Sequence, residues 1–225
     1  MAAPTIVFDL DGTLIDTAPD LINTLNVVLG RHDLEPIPFQ ESRAMIGAGV
    51  RPLLLRGLAS KGIRLPPEQI DKLFAEFLDI YAAHIADHSR AFPGLERALD
   101  ALTAEGCRLA VCTNKLEWLS VKLLKELGLG SRFVAICGQD TFTMRKPDPE
   151  MLRLTIARAG GDTGHAVMVG DSMTDVATAR AAGVPVIAVD FGYTETPPPE
   201  LGADRLIGHF DELPSAVMEL VSVRS

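Results

Sequence analysis

The chain has 225 residues, of which 47% are hydrophobic and 23% are charged. This composition is that of a folded globular protein and excludes disordered and collagen-like chains. The 30 acidic residues outnumber the 21 basic ones and give a net charge of −9. The sequence predicts no nucleic-acid partner, because a negative protein repels a polyanion unless its basic residues are gathered on one face. A small anionic substrate would need a local positive charge from a metal ion, a lysine or an arginine.

The cysteines, Cys107, Cys112 and Cys137, are odd in number and form no Cys-x-x-Cys pair. We therefore predict free thiols rather than a disulfide framework or a zinc site. The first apolar stretch, Thr5–Phe8, runs directly into Asp9, and nowhere do about 18 apolar residues follow one another. The sequence accordingly predicts no signal peptide, no membrane partner and a location in the cytosol.

The first predicted strand is the apolar, β-branched run Thr5–Phe8. Between this run and residue 89, apolar residues recur at helical spacing in stretches that glycines and prolines separate, without a strand pattern. We therefore predict a helical domain over residues 16–89, inserted after the first strand.

Short apolar runs alternate with helical patterns in the rest of the chain. Helices are predicted at residues 95–104, 116–127, 150–159, 174–182 and 213–221, and strands at residues 109–112, 134–136, 166–169 and 185–189. Continuously apolar strands between helices are typical of a parallel sheet that is covered on both faces. We expect an α/β fold in which a Rossmann-like core, residues 1–15 and 90–225, carries the helical insertion as a cap.

Polar residues follow the predicted strands at their carboxyl ends, where open parallel sheets bind ligands. These residues, together with a lysine in a later loop, are Asp9, Asp11, Thr113, Asn114, Lys146, Asp171 and Asp175. Several carboxylates at one edge repel one another unless a cation offsets their charge. We predict Mg²⁺, which proteins hold with few carboxylates while water and substrate phosphate complete its shell.

Asp9 and Asp11 are two residues apart at the end of an extended strand, and Gly12 permits a turn after them. One carboxylate can then attack phosphorus, which divides hydrolysis into two displacements, while its neighbour transfers protons. Thr113 and Lys146 would supply a hydrogen-bond donor and a positive charge to the phosphoryl oxygens.

Four motifs occur in order: DLDGTLIDT at residues 9–17, VCTNK at 111–115, RKPDPE at 145–150 and GDSMTD at 170–175. This series resembles the haloacid dehalogenase-like hydrolase superfamily. The resemblance implies that Asp9 is the nucleophile and Asp11 the general acid/base. It also implies that Thr113 and Lys146 bind the phosphoryl group, and we assign the neighbouring Asn114 to substrate binding as well.

The resemblance further implies a magnesium site. Asp9, the backbone carbonyl of Asp11, and Asp171 would hold Mg²⁺, and Asp175 would support these ligands without contacting the ion itself. Because the family inserts a helical cap after its first strand, closure of residues 16–89 would exclude water from the site.

The prediction of the substrate depends on segments that are less specific than the four motifs. Segments 45–51, 190–193 and 202–204 resemble bacterial phosphoglycolate phosphatases, which implies 2-phosphoglycolate as the small phosphorylated metabolite. Arg51, beside the glycine turn, is a candidate contact for the substrate carboxylate, with an exposed helix position as the alternative.

Other functions remain open at this point. The alternatives are a sugar-phosphate or nucleotide phosphatase, a phosphomutase, and a non-catalytic regulatory protein that keeps the Mg²⁺ site. Leu21 and Leu25 stand where the related mutases carry His and Trp, which weakens the mutase alternative. The sequence does not distinguish a monomer from a homodimer.

Overall fold

The computed structural model describes residues 3–43 and 45–222. Its strands are β1 (Thr5–Phe8), β2 (Ile15–Asp16), β3 (Arg90–Ala91), β4 (Arg108–Cys112), β5 (Ala135–Cys137), β6 (Ala166–Gly170), β7 (Val186–Val189) and β8 (Arg205–Ile207). Its α-helices are α1 (Ala18–Arg31), α2 (Phe39–Arg43), α3 (Val50–Ser60), α4 (Pro67–Ala83), α5 (Leu95–Ala104), α6 (Glu117–Glu126), α7 (Pro149–Arg158), α8 (Met173–Ala182) and α9 (Leu213–Ser222).

Six strands of the described ranges form a parallel sheet in the order β5-β4-β1-β6-β7-β8. β1 lies inside the sheet, with Phe8 level with Val111 of β4 on one side and Val169 of β6 on the other. The strand order therefore reverses beside β1, and the crevice beyond the carboxyl ends at such a point is where open sheets bind ligands.

Alternate side chains of β1 enter hydrophobic clusters on opposite faces of the sheet. Ile6 and Phe8 belong to a cluster that includes residues of α5, α6 and α9. Val7 belongs to a second cluster with residues of α7 and α8. Because successive side chains of a strand point to opposite faces, helices cover both faces, and the predicted α/β class with a Rossmann-like core is confirmed.

Helices α1 to α4 form the cap, which lies between β2 and β3 in the chain. Leu25, Leu53 and Phe77, from α1, α3 and α4, belong to the same buried cluster as Ile6 of the core. β2 and β3 pair antiparallel, with Asp16 level with Arg90, so the chain leaves and re-enters the core side by side. The predicted domain limits, residues 16 and 89, fall at this two-stranded ribbon and stay a prediction.

Asp20, in the first turn of α1, joins the two ends of the cap. Its buried Oδ2 accepts hydrogen bonds from the N–H and the hydroxyl of Ser89, both at 2.7 Å, and from the N–H of His88 at 3.0 Å. Burial raises the pKa of Asp20, but these donors outweigh it and hold the pKa below its usual range.

The predicted helices and strands of the core agree with the structure to within two residues. β8 and the β2–β3 ribbon were not predicted. The three cysteines are free, as the sequence predicts, and they are buried. Over the described ranges, no helix combines the length and apolar character that crossing a bilayer would require.

Candidate active site

The parallel register brings the predicted site residues to one edge of the sheet. Asp9 follows β1 directly and donates its N–H to the carbonyl of Val169 at 2.9 Å. Thr113 follows β4 and donates its N–H to the carbonyl of Cys137 at 3.0 Å. Asp171 follows β6. All three of these polar side chains are buried, and this arrangement gives the carboxyl end of the sheet an acidic pocket.

Lys146 is the cation of this pocket. Its Nζ lies 2.9 Å from Oδ1 of Asp9 and 2.6 Å from Oδ1 of Asp175, and its side chain is buried. Burial disfavours the ammonium, but Asp175 and Asp9 outweigh burial and raise the pKa of Lys146. The amide of Asn114 donates to the carbonyl of Lys146 at 3.2 Å and so fixes the loop that carries the lysine.

Oδ1 of Asp9 is a buried acceptor that makes no hydrogen bond within the described residues, although the ammonium of Lys146 is close. Burial raises the pKa of Asp9 to about 6; Lys146 opposes this shift, and Asp175 and Asp11 add to it. A buried acceptor is costly when it makes no hydrogen bond. It is therefore suited to contact a cation or an incoming phosphoryl group.

Asp171 is held from two directions. Its Oδ1 accepts from the hydroxyl of Thr13 at 3.1 Å, and its Oδ2 accepts from the N–H of Tyr193 at 2.7 Å. Burial, together with Asp175 and Asp9, nevertheless raises the pKa of Asp171 to about 8. This carboxylate is thus oriented by hydrogen bonds but short of positive charge.

Asp175 has its oxygens occupied by the protein. Oδ1 contacts Lys146, and Oδ2 accepts from the N–H groups of Asp171 and Ser172 and from the hydroxyl of Ser172, at 3.3, 3.1 and 2.7 Å. The contact with the N–H of Ser172 is part of the capping box of α8. A supporting role, as predicted, agrees with this set of partners.

The donor set fits a divalent cation. Ligand atoms of Asp9, Asp171 and Asp175 lie within 4.8 Å of one another, and Oδ1 of Asp9 has no competing hydrogen bond in the described chain. Hard cations such as Mg²⁺ favour oxygen ligands of this type. The carboxylate of Asp11 is outside this group, which agrees with a contact through its backbone carbonyl instead.

The carboxylate of Asp11 faces the cap. It accepts from the hydroxyl of Thr17 at 2.8 Å and from Nζ of Lys115 at 3.0 and 3.2 Å. Lys115 is also buried and donates to Oη of Tyr81, on cap helix α4, at 2.8 Å. Asp11 therefore lies where core and cap meet.

Comparisons with known proteins agree with this geometry. Residues 6–189 match the haloacid dehalogenase-like hydrolases. The chain is 47% identical over 218 residues to phosphoglycolate phosphatase of Caulobacter vibrioides, covering 97% of this chain and 92% of the relative. It is 48% identical over 213 residues to the enzyme of that name from Mesorhizobium japonicum, covering 95% and 94%. The chain belongs to the haloacid dehalogenase-like hydrolase family.

A solved structure supports the same assignment. The crystal structure of a predicted phosphoglycolate phosphatase from Haemophilus somnus superposes with a TM-score of 0.89 at 26% identity, covering 95% of this chain and 97% of the other. As a member of the hydrolase family with phosphatase relatives along nearly its whole length, the chain is a phosphatase.

The structure brings together the family motif residues but not Arg51. The guanidinium of Arg51 pairs with Asp71 and lies 5.3 Å from the ring centre of Phe74, both on α4. Its side chain is 45% exposed. An opposite charge and an aromatic ring of the cap hold the side chain here, which agrees with the alternative, an exposed helix position. The substrate contact of Arg51 stays a prediction.

Three contacts of this hydrolase site were missed by sequence reasoning. Thr13 and Tyr193 hold Asp171, and Lys115 holds Asp11. Lys115 carries a signal that could have indicated it, because it is the third residue after β4, and a lysine so close to the carboxyl end of an apolar strand lies near the ligand edge of the sheet. The other two depend on long-range contacts.

Proposed function

We propose that the chain is a Mg²⁺-dependent phosphomonoester hydrolase that acts on 2-phosphoglycolate through an aspartyl-phosphate on Asp9. The observation that carries the proposal is Oδ1 of Asp9, a buried acceptor with no hydrogen bond in the described residues, 2.9 Å from Lys146. The substrate is proposed because relatives that are 47% and 48% identical are named phosphoglycolate phosphatases.

In this proposal, Asp9 attacks phosphorus and the ester oxygen leaves. The carboxylate oxygen forms a bond to phosphorus as the bond from phosphorus to the ester oxygen breaks, and water then hydrolyses the aspartyl-phosphate. Lys146 offsets the charge of the phosphoryl oxygens, and its contacts with Asp9 and Asp175 keep it beside the nucleophile. The hydroxyl of Thr113 is the proposed donor to the same oxygens.

Asp11 is the proposed acid and base. It would give a proton to the leaving oxygen and later take one from the attacking water. Its hydrogen bonds to Thr17 and Lys115 hold the carboxyl group two residues beyond the nucleophile.

Asp9, the carbonyl of Asp11, and Asp171 are the proposed Mg²⁺ ligands. When bound, the ion supplies positive charge that stabilises the transferring phosphoryl group. Thr13 and Tyr193 orient Asp171 for this task, and ligand orientation of this kind commonly controls metal affinity.

The function is tested by phosphate release from 2-phosphoglycolate with Mg²⁺, with EDTA, and by the Asp9→Asn variant. We expect activity only for the wild type with Mg²⁺. Acid quenching with ³²P-labelled substrate should retain label on the wild type and none on Asp9→Asn. Lack of turnover by the wild type across a panel of phosphate esters would contradict the proposed function and would revive the non-catalytic alternative.

The same panel separates the remaining alternatives. The cavity beside Asp11, lined by cap residues, has a volume of about 10 Å³, roughly the space of one water molecule. Glycolate, a sugar and a nucleoside are each larger than this volume, so the cap must move for all of these leaving groups, and it must move least for the two-carbon glycolate. We therefore expect a higher kcat/KM for 2-phosphoglycolate than for sugar phosphates or nucleotides.

A further inference from the structure

In the proposed mechanism, Lys115 only holds Asp11 and makes no contact with the substrate. Lys115 and Asp11 form the core side of the small cavity, and the cap side includes Leu21, Val50 and Leu53. Among the described residues that line this cavity, Lys115 is the one cation. A leaving group whose ester oxygen is next to Asp11 would extend into this space.

Lys115 is buried at some cost. Its side chain is 1% exposed, and its Nζ has two kinds of partner, the carboxylate of Asp11 and the hydroxyl of Tyr81. Nζ also lies 4.5 Å from the centre of the Tyr81 ring. A buried ammonium is favourable only when it is well paired, so its placement at a substrate cavity calls for a function.

Lys146 does not provide a second anion site. Its ammonium lies between Asp9 and Asp175, at the position proposed for the phosphoryl group. A substrate with an anionic group at each end would therefore meet two different lysines. The carboxylates that pair with these lysines, Asp9 and Asp11, are two residues apart in the chain.

We propose that Lys115 is a specificity-determining residue that binds the carboxylate of the leaving group. This inference rests on the proposed function and deepens it. Lys115 donates a hydrogen bond to the substrate carboxylate, which one CH2 group separates from the ester oxygen. The apolar side chains of the cap exclude longer or more polar leaving groups. In taking this bond, Lys115 releases an oxygen of Asp11 to face the ester oxygen.

The experiment compares kcat/KM for 2-phosphoglycolate and for ethyl phosphate, which has the same two-carbon ester without the carboxylate. In Lys115→Met, the preference for 2-phosphoglycolate should fall by about tenfold to a hundredfold, the loss expected for a charge-assisted hydrogen bond. Lys115→Arg keeps the charge and should keep part of the preference. Lys122→Met removes an exposed lysine that pairs with Glu126 on α6 and should leave the preference unchanged.

The ratio separates recognition from positioning. Loss of Lys115 also leaves Asp11 with Thr17 alone as its hydrogen-bond donor. This change affects the ester oxygen, which both substrates share, and lowers the rate for both by the same factor. An equal loss for both substrates would show that Lys115 acts only through Asp11 and would overturn the inference. Circular dichroism checks that each variant folds, and calorimetric binding of both compounds to Asp9→Asn, with and without Lys115→Met, gives the same comparison without turnover.

The outcomes also distinguish this inference from the proposed function. A wild type that prefers 2-phosphoglycolate, with a Lys115→Met variant of unchanged preference, contradicts the role of Lys115 alone. A wild type without any preference between the two compounds contradicts the substrate itself, and the role of Lys115 with it.

Discussion

Gly192 and Gly12 enclose the carboxylate of Asp171. A Cβ atom at Gly192 would lie 2.2 Å from Cβ of Asp171, and one at Gly12 would lie 2.5 Å from its Oδ2. Neither distance is compatible with a side chain, so both positions need glycine for space. The adjoining N–H of Tyr193 then reaches Asp171 at 2.7 Å.

Gly192→Ala should weaken Mg²⁺ binding. The added methyl group must move Asp171 or the loop that orients it, and displacing such a support typically costs about 10- to 100-fold in metal affinity. Calorimetric titration with Mg²⁺ measures the effect. Gly30→Ala is the matched control, since a Cβ there meets no atom within 4 Å and alanine is favoured within α1. Equal Mg²⁺ affinity in both variants would contradict the steric argument.

Site residues could be predicted from the sequence where they directly follow a predicted strand. Asp9, Thr113 and Asp171 follow β1, β4 and β6, and the carboxyl ends of parallel strands meet at one edge. Thr13 and Tyr193 could not be found in this way, because their contacts to Asp171 join residues 158 and 22 positions apart. The ion pair of Arg51 could not be found either, since its partner Asp71 is on another helix.

At the scale of elements, the strands that were predicted carry a local apolar pattern, and the strands that were not predicted lack one. β1, β4 and β6 are buried and read as continuous apolar runs. β8 lies at the edge of the sheet, and Arg205 and Leu206 are exposed there, so no apolar run marks it. The two-residue strands of the ribbon are too short to show any periodicity.

The junction between cap and core depends on Asp20. Asp20→Asn replaces an acceptor oxygen by an N–H group that faces the donors of His88 and Ser89. We expect the free energy of unfolding to fall by about 1–3 kcal/mol, the usual cost of disrupting buried hydrogen bonds to a charged group. Urea unfolding at neutral pH measures it, with Asp79→Asn, exposed on α4, as the control.

The loss of stability in Asp20→Asn should depend on pH in a defined direction. The pKa of Asp20 is lower in the folded state, so its contribution is present above the unfolded value of about 3.9 and is lost as the pH falls through the folded pKa. The difference between wild type and Asp20→Asn should therefore shrink in acid. A difference that is the same from neutral to acidic pH would argue against the charge of Asp20 as its source.

At the scale of the whole molecule, stability is coupled to the acidic pocket. Without a cation, burial raises the pKa of Asp9 to about 6 and that of Asp171 to about 8. The pKa of an aspartate in an unfolded chain is about 3.9. The folded state thus binds more protons than the unfolded state over this range. Stability of the metal-free protein should fall as the pH rises from about 4 to 8.

Mg²⁺ should reverse this loss, because it binds the ionised carboxylates. We expect millimolar Mg²⁺ to raise Tm more at about pH 8.5 than at about pH 5.5, as measured by scanning calorimetry against EDTA. Asp171→Asn should lose most of the Mg²⁺ effect and part of the decline with pH. A Tm increase of the same size at both pH values would contradict coupling through Asp9 and Asp171.

The position of β1 inside the sheet has a consequence for synthesis of the chain. β1 is made first, yet Thr5 pairs with Arg108 on one side and Ala166 on the other. At roughly 5–20 residues per second on the ribosome, β1, which ends at Phe8 just before Asp9, waits several seconds for its neighbours. The helical cap, whose contacts are local, can form meanwhile. We therefore expect the cap of the nascent chain to fold before β1 enters the sheet and positions Asp9.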